Sequence, residues 1–346
     1  MSLSKIDGVR IAGVSTCVPA RRVDNLECGK DFGVDEVRKV VAMAGVQQRR
    51  VVDPGVTSAD LCFEAAATLL DRLGWARDSI TGLIMVTQSP DYFLPSSACM
   101  VHKWLGLSDQ CAAFDVGLGC SGYPYGLYLA STMLRAGGHR RILMLHGETP
   151  SLFPAPTDHA TTLLFGDAGS ATALESADGE TSVFCLQTDG QGYDGLIMRG
   201  GGFRDRNPAD PLHRYLHMDG GAIFNFTIKR VPPLIRDTLE HAGLQVGDID
   251  WYLFHQSNRF IMKHLAKKCG LPEGRVPFVL DRFGNSGGPS VALALTQGVV
   301  REDSARALRV MLLGYGVGLS WGSALATIPA GTPLLHGDYS GTMARA

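Results

Sequence analysis

Residues 284–289 read GNSGGP, and residues 119–124 read GCSGYP. Gly, Ser, Gly and Pro recur at the same spacing, and the main chemical change is a thiol, Cys120, against an amide, Asn285. The echo spreads outward in both directions, which makes an internal duplication the first question for the fold. Downstream of the first copy come GLYLASTMLRAGGHR and then RILMLHGE; downstream of the second come SVALALTQGVVREDSARAL and then RVMLLGYG. Upstream, LLDRLGWARDSITGLIMVTQS (69–89) resembles DTLEHAGLQVGDIDWYLFHQS (237–257) with a one-residue gap, so Thr87 stands opposite His255. Each copy reads helix, loop, buried apolar strand, then glycine turn, helix, strand.

Two copies of alternating helices and buried strands predict a layered α/β protein. A pseudo-twofold would bring the two turns toward a common centre, and ligands gather at strand ends and helix starts in such sheets. The boundary is placed near residue 178, in the polar stretch ESADGET, giving halves 1–178 and 179–346, with 330–346 expected as a poorly ordered tail.

Composition narrows the function. The 346 residues are 45% hydrophobic and 19% charged with a net charge of −2, which suits an ordinary globular protein with a large core. Such a balance gives no general attraction to nucleic acid or membrane. The opening MSLSKIDGVRIAGV mixes charges among its apolar residues, and no later run approaches the roughly 18 apolar residues of a membrane span, so a cytoplasmic location is expected. Eight cysteines without a CxxC pair read as reduced thiols, with no metal site and no cofactor expected.

Taken singly, any of these cysteines is a packing residue. Cys120 differs because it follows the strand-like CAAFDV and precedes a helix with Pro124 in its first turn, so backbone N–H groups and the helix dipole are expected to stabilise its thiolate. His255 ends the strand WYLF, in the copy whose sister leads to Cys120. Asn285 alone reads equally well as turn chemistry. Glycines 314, 316 and 318 leave a backbone loop able to approach a ligand; without the Lys-Ser/Thr pair of a P-loop it suits an oxyanion better than a phosphate.

PSSAC (95–99), FDVGLGCSG (114–122), PTD followed by FGDAGSA (165–171), HQSN (255–258), GNSGGPS (284–290) and the ending GVGLSWGSA (316–324) together resemble the 3-oxoacyl-[acyl-carrier-protein] synthase III group of thiolase-fold condensing enzymes. The resemblance runs to about Ile328. It implies a thiolase-like, five-layered αβαβα fold, a homodimer, and a triad falling on Cys120, His255 and Asn285. In the implied reaction Cys120 takes an acyl group from acyl-CoA or an acyl carrier protein, while the backbone N–H groups of Cys120 and Val317 hold the oxyanion. A malonyl-carrier thioester then loses carbon dioxide while His255 and Asn285 donate to its carbonyl, and the carbanion attacks the acyl group.

The chain departs from that pattern in places. Lys39, Met43 and His159 stand where the family's nucleotide clamp falls. Leu94 stands where an aromatic often caps the partner's acyl pocket, which suggests a longer or bulkier acyl chain. After HQSN, Arg259, Lys263, Lys267 and Lys268 form a basic helix face, read either as a solvated surface or as a docking site for an acidic carrier protein. A same-fold acyltransferase that moves the Cys-bound group to an alcohol, amine or thiol is the alternative, and Asn285 discriminates, because simple transfer has no enolate to stabilise. A non-catalytic partner subunit would lack Cys120. The identity of the acyl group, its donor, and the choice between fatty-acid initiation and a specialised pathway stay open.

Overall fold

The computed structural model describes residues 2–300 and 306–346. Its backbone is a nine-stranded mixed sheet among the described residues, in which two long strands belong to both halves. The first half contains β1 (Ser2–Val18), β2 (Gly82–Val86), β3 (Ala112–Val116), β4 (Arg141–Glu148) and the start of β5 (Ala168–Thr188). The second contains the end of β5 with β6 (Trp251–Phe254), β7 (Leu308–Gly316) and β8 (Ser320–Ile328). β2 runs parallel to β3 and β4, and β6 parallel to β7, while β4–β5 and β7–β8 are antiparallel. Continuous apolar runs such as GLIMV in β2 are buried along their whole length, as strands covered on both faces require.

Residue 178 lies inside β5, where that strand changes partners. Ala168–Glu175 pair with β4, and Val183–Thr188 pair with β8. β1 follows it across: Val9–Cys17 pair with Gly169–Ser176 and Ser2–Asp7 with Thr181–Leu186, with a register shift between Asp7 and Val9. The irregularity falls where β1 passes from one stretch of β5 to the other.

The helices fill the remaining layers. α1 (Val34–Ala44) covers a small satellite cluster. α2 (Ser58–Leu73) and α3 (Ser97–Trp104) cover the outer face of the first half. α4 (Gly122–Ala136) lies between the halves, with Tyr123, Leu127 and Ala130 in a core that also holds Ile84, Val310 and Leu312. α5 (Gly220–Ala242) and α6 (Arg259–Lys268) cover the second half. α2 starts with a capping box between Thr57 and Asp60 and stops at Gly74, whose left-handed φ of 64° suits glycine. The expected α/β thiolase-like architecture is therefore present. The helix expected over 290–308 is shorter: Ser290–Leu293 are α-helical, Ala294–Gly298 form a π turn, and residues 301–305 lie outside the described residues. Among the described residues no helix is long and apolar enough to cross a membrane.

The end of the chain overturns an expectation. Residues 330–346 are ordered: β9 (Leu334–Asp338) pairs in parallel with Val14–Val18 of β1. Beyond it, Glu64 of α2 accepts from the Ser340 backbone (2.9 Å), the Ser340 hydroxyl (2.7 Å) and the Gly341 backbone (2.8 Å). Arg345 pairs with Asp60 and lies 3.9 Å over the Trp104 ring. The tail's Gly, Ser and Thr content hides this, because its order comes from an open strand edge and a buried carboxylate elsewhere. Ending the chain at Ala330 should lower stability by about 3 kcal/mol or more, the worth of the charge-assisted bonds stripped from Glu64, read as a fall in the urea midpoint. An unchanged midpoint would show the tail to be decoration.

Candidate active site

The two glycine turns meet. GCSGYP joins β3 to α4, and GNSGGP follows the short helix Leu280–Phe283, with Gly284 at φ 74°. A Cβ at Gly288 would lie 2.6 Å from the Gly119 carbonyl oxygen and would collide with the ring of His146. Only a residue without a side chain lets the turns approach so closely. A Cβ at Gly316 would lie 2.7 Å from Cys120 Cβ and 3.1 Å from its sulfur, so the end of β7 is pressed against the thiol.

Cys120 is half-buried on a cavity of about 70 Å³ that it shares with Gln88, Glu148, Phe165, Gly287 and Val317. The backbone N–H groups of Val317 and Cys120 reach its sulfur and favour the thiolate. Burial works against them, with the Glu148 carboxyl adding to it, and pushes the thiol up to about 12. Burial thus opposes the thiolate that the turn was expected to stabilise, because the anion loses solvation there.

His255 follows β6 and is buried, its backbone N–H donating to Leu313 at 2.7 Å. Its Nδ1 lies 2.9 Å from the Gly287 carbonyl and 3.0 Å from Ser290 Oγ. A carbonyl can only accept, so Nδ1 carries the ring proton. Ser290 fits this arrangement: its hydroxyl donates to the Gly287 carbonyl at 2.5 Å and its oxygen accepts from the Gln256 backbone at 3.0 Å. Nε2 is then an acceptor, and burial lowers the ring's pKa to about 4, so the neutral imidazole persists. The neutral ring therefore offers a base where a donor was expected. Asn285 keeps its donor character: Oδ1 accepts from the Gly287 N–H at 3.0 Å, while Nδ2 donates to the Ser257 carbonyl at 3.2 Å and retains a second hydrogen. Gly287 thus touches His255 and Asn285 while lining the cavity of Cys120.

The outer residues divide. Val317 lines the cavity, whereas Leu94 is 80% exposed and does not line that cavity within its own chain. Arg259 is half-buried against Gly45, while Lys263, Lys267 and Lys268 are exposed; the Lys268 ammonium donates to the Ile228 carbonyl at 2.8 Å. Lys39 is exposed and faces Glu36 at 3.8 Å, Met43 is exposed, and the His159 ring lies tilted against Phe32 with 4.2 Å between centroids.

Sequence-based models of 3-Oxoacyl-[acyl-carrier-protein (ACP)] synthase III match residues 114–191, and its C-terminal region matches residues 239–328. A Campylobacter jejuni protein assigned as a 3-oxoacyl-[acyl-carrier-protein] synthase 3 is 33% identical over 338 residues, covering 93% of this chain and 94% of its own. The chain belongs to the synthase III family. A 3-oxoacyl-(acyl-carrier protein) synthase from Burkholderia xenovorans LB400 is 41% identical, with a TM-score of 0.93 over 97% of this chain and 98% of that one. The priming β-ketosynthase of the R1128 polyketide pathway is 27% identical, with a TM-score of 0.84 over 94% of this chain and 97% of that one. This synthase III family member is accordingly a condensing enzyme of the thiolase fold.

Three groups at the site escaped the sequence reading: the exposed Gln88, which lines the cavity, and the buried His146 and Glu148. In the duplication RILMLHGE lies over RVMLLGYG, so His146 and Glu148 face Gly314 and Gly316. Two polar side chains at the end of an apolar strand, where the sister copy has glycine, were the available signal. Neither ring nitrogen of His146 has a hydrogen-bond partner among the described residues, and burial, with His255 adding to it, lowers its pKa to about 3. The ring acts as a neutral filler between the turns. Gly288→Ala should cost about 2 kcal/mol in urea unfolding, the usual penalty for overpacking, and adding His146→Ala should return part of it. Additive losses in the double variant would mean that the two residues do not share that space.

Proposed function

We propose that this condensing enzyme loads an acyl group onto Cys120 and extends it by decarboxylative condensation with a malonyl thioester. The observation that carries the reading is the contact of the two turns at Gly288, which sets a thiol, an imidazole acceptor and an amide donor around Gly287. In the first half-reaction the Cys120 proton passes to His255 Nε2, and the sulfur attacks the acyl thioester carbonyl. The Cys120 and Val317 N–H groups stabilise the oxyanion; the old C–S bond then breaks, and the departing thiolate takes the proton from His255.

In the second half-reaction the malonyl C–CO₂ bond breaks and its electron pair forms an enolate, whose oxygen accepts from Asn285 Nδ2. The enolate carbon attacks the acyl carbonyl, the bond to Cys120 breaks, and the sulfur recovers a proton from solvent. An acyl carrier protein is the fitting donor of both substrates, since the exposed Lys263, Lys267 and Lys268 lie on α6, which starts four residues beyond His255. We further read the enzyme as a cytoplasmic homodimer. The exposed Tyr92, Phe93 and Leu94, with the Phe93 ring centroid 5.6 Å from that of the exposed Phe203, form an apolar surface suited to a second copy, into whose acyl pocket Leu94 would reach.

Intact-mass and peptide mapping after acyl loading should place the acyl group on Cys120 and find none in Cys120→Ser. Asn285→Ala should still load but release carbon dioxide about 100-fold more slowly, the usual effect of one lost oxyanion donor. Equal loss of both half-reactions would assign Asn285 to the nucleophile instead. Charge reversal at Lys263 and Lys267 should lower kcat/KM for carrier-bound acyl groups and leave acyl-CoA little affected. The difference should shrink with salt, as exposed charges are screened over about 10 Å at 0.1 M. A carrier response indifferent to both charge and salt would remove α6 as the docking face.

A further inference from the structure

Glu148 ends β4 beside the Cys120 cavity and has no part in the chemistry proposed above. A Cβ at Gly287 would lie 3.2 Å from its Cγ, so this side chain is packed against the Asn285 turn. Its carboxyl is served by neutral donors: the Gln88 backbone N–H gives to Oε1 at 2.8 Å, and the Ser89 hydroxyl to Oε2 at 2.9 Å. Ser89 Oγ itself accepts from the Thr149 backbone at 3.0 Å, which turns its hydroxyl hydrogen toward Glu148. Among the described residues no cation stands against this group, and burial, with Asp167 opposing ionisation further, pushes its carboxyl up to about 8. A negative charge at Glu148 in turn raises the Cys120 thiol.

We propose that Glu148 is a positioning residue whose carboxyl must be neutral for Cys120 to react: as the acid it lets the thiol proton leave, and as the carboxylate it holds that proton on the sulfur. The proposal deepens the reading of Cys120 as nucleophile and rests on it. The physical reason is that two like charges sharing a small apolar cavity repel far more strongly than they do in solvent. The other titrating groups facing this region leave the relevant window clear. Asp167 is raised only to about 6, His255 is lowered to about 4 and His146, on the same strand, to about 3. Cys62 of α2 and Tyr315 of β7 are pushed upward by burial, so both stay neutral. Between about pH 7 and about pH 9, then, Glu148 is the group that changes charge beside Cys120.

The test is the rate at which iodoacetamide alkylates Cys120 in the intact protein, from about pH 6 to about pH 9.5. In that reaction the S–C bond forms, iodide leaves, and the thiol proton passes through His255 to solvent. Because Cys99 is exposed, the rate is followed by the mass of the Cys120 peptide. Wild type and Glu148→Gln should react alike at the acid end, and the variant should pull ahead by about tenfold at the alkaline end, equivalent to about one pKa unit at the thiol. Glu148→Asp, which keeps the charge, should follow wild type. A constant offset at every pH would mark a packing role and overturn the proposal. So would a faster wild type at high pH, which would make the carboxylate a base. Should Glu148→Gln fail to fold, the infrared band of a protonated buried carboxyl in wild type gives the same decision. It should persist to about pH 8 and vanish as the wild-type alkylation rate flattens, and its loss below about pH 6 would overturn the idea. Acyl mapping to another cysteine would defeat the nucleophile assignment, yet the alkylation profile would still read the coupling of Glu148 to Cys120.

Discussion

The approach of Gly288 to the Gly119 carbonyl is the constraint on which the site depends. Two turns from distant parts of the chain meet almost backbone to backbone, and everything around them is shaped to allow it. His146 fills the side left open by Gly288, and the glycine end of β7 closes over Cys120 from the other side. Closely packed interiors transmit such displacements, so a single methyl group at this seam moves both turns. The duplication supplies the two turns, and the differences between its copies supply the chemistry.

Enclosure also sets the charge state of the site. Burial is the largest influence on Cys120, Glu148, His146 and His255, and in each case it favours the neutral form. A resting site of neutral groups keeps its cavity free of fixed charge until a substrate brings its own. The proton inventory then matters more than any preformed thiolate: the sulfur needs an acceptor, and the Nδ1–H form of His255 leaves Nε2 available as one.

The two shared strands explain how such a seam stays in place. β1 and β5 each pair within both halves of the sheet, so the halves cannot shift independently without breaking a continuous ladder. The C-terminal segment extends that ladder through β9 and then locks onto Glu64 and Asp60 of α2. α2 packs under the strand ends that carry Gln88 and Glu148, which ties the tail mechanically to the same side of the molecule as the site.

By itself the sequence determined the duplicated α/β plan, because continuous apolar strands, helical periodicity and a repeated glycine turn are local patterns written in residue type and spacing. It also singled out Cys120 and His255 by their places in that repeat, while Asn285 joined them only through the family resemblance. The tertiary structure decided the rest. The His255 tautomer is set by Gly287 and Ser290, which arrive from 32 and 35 residues away, and the neutral carboxyl of Glu148 is set by burial, which outweighs donors 59 and 60 residues away that favour its charge. The order of the tail depends on a carboxylate 276 residues distant. Desolvation and hydrogen-bond complementarity are properties of assembled neighbours, so proton positions, thiol reactivity and the docking of a polar tail become defined only when the chain has closed around them.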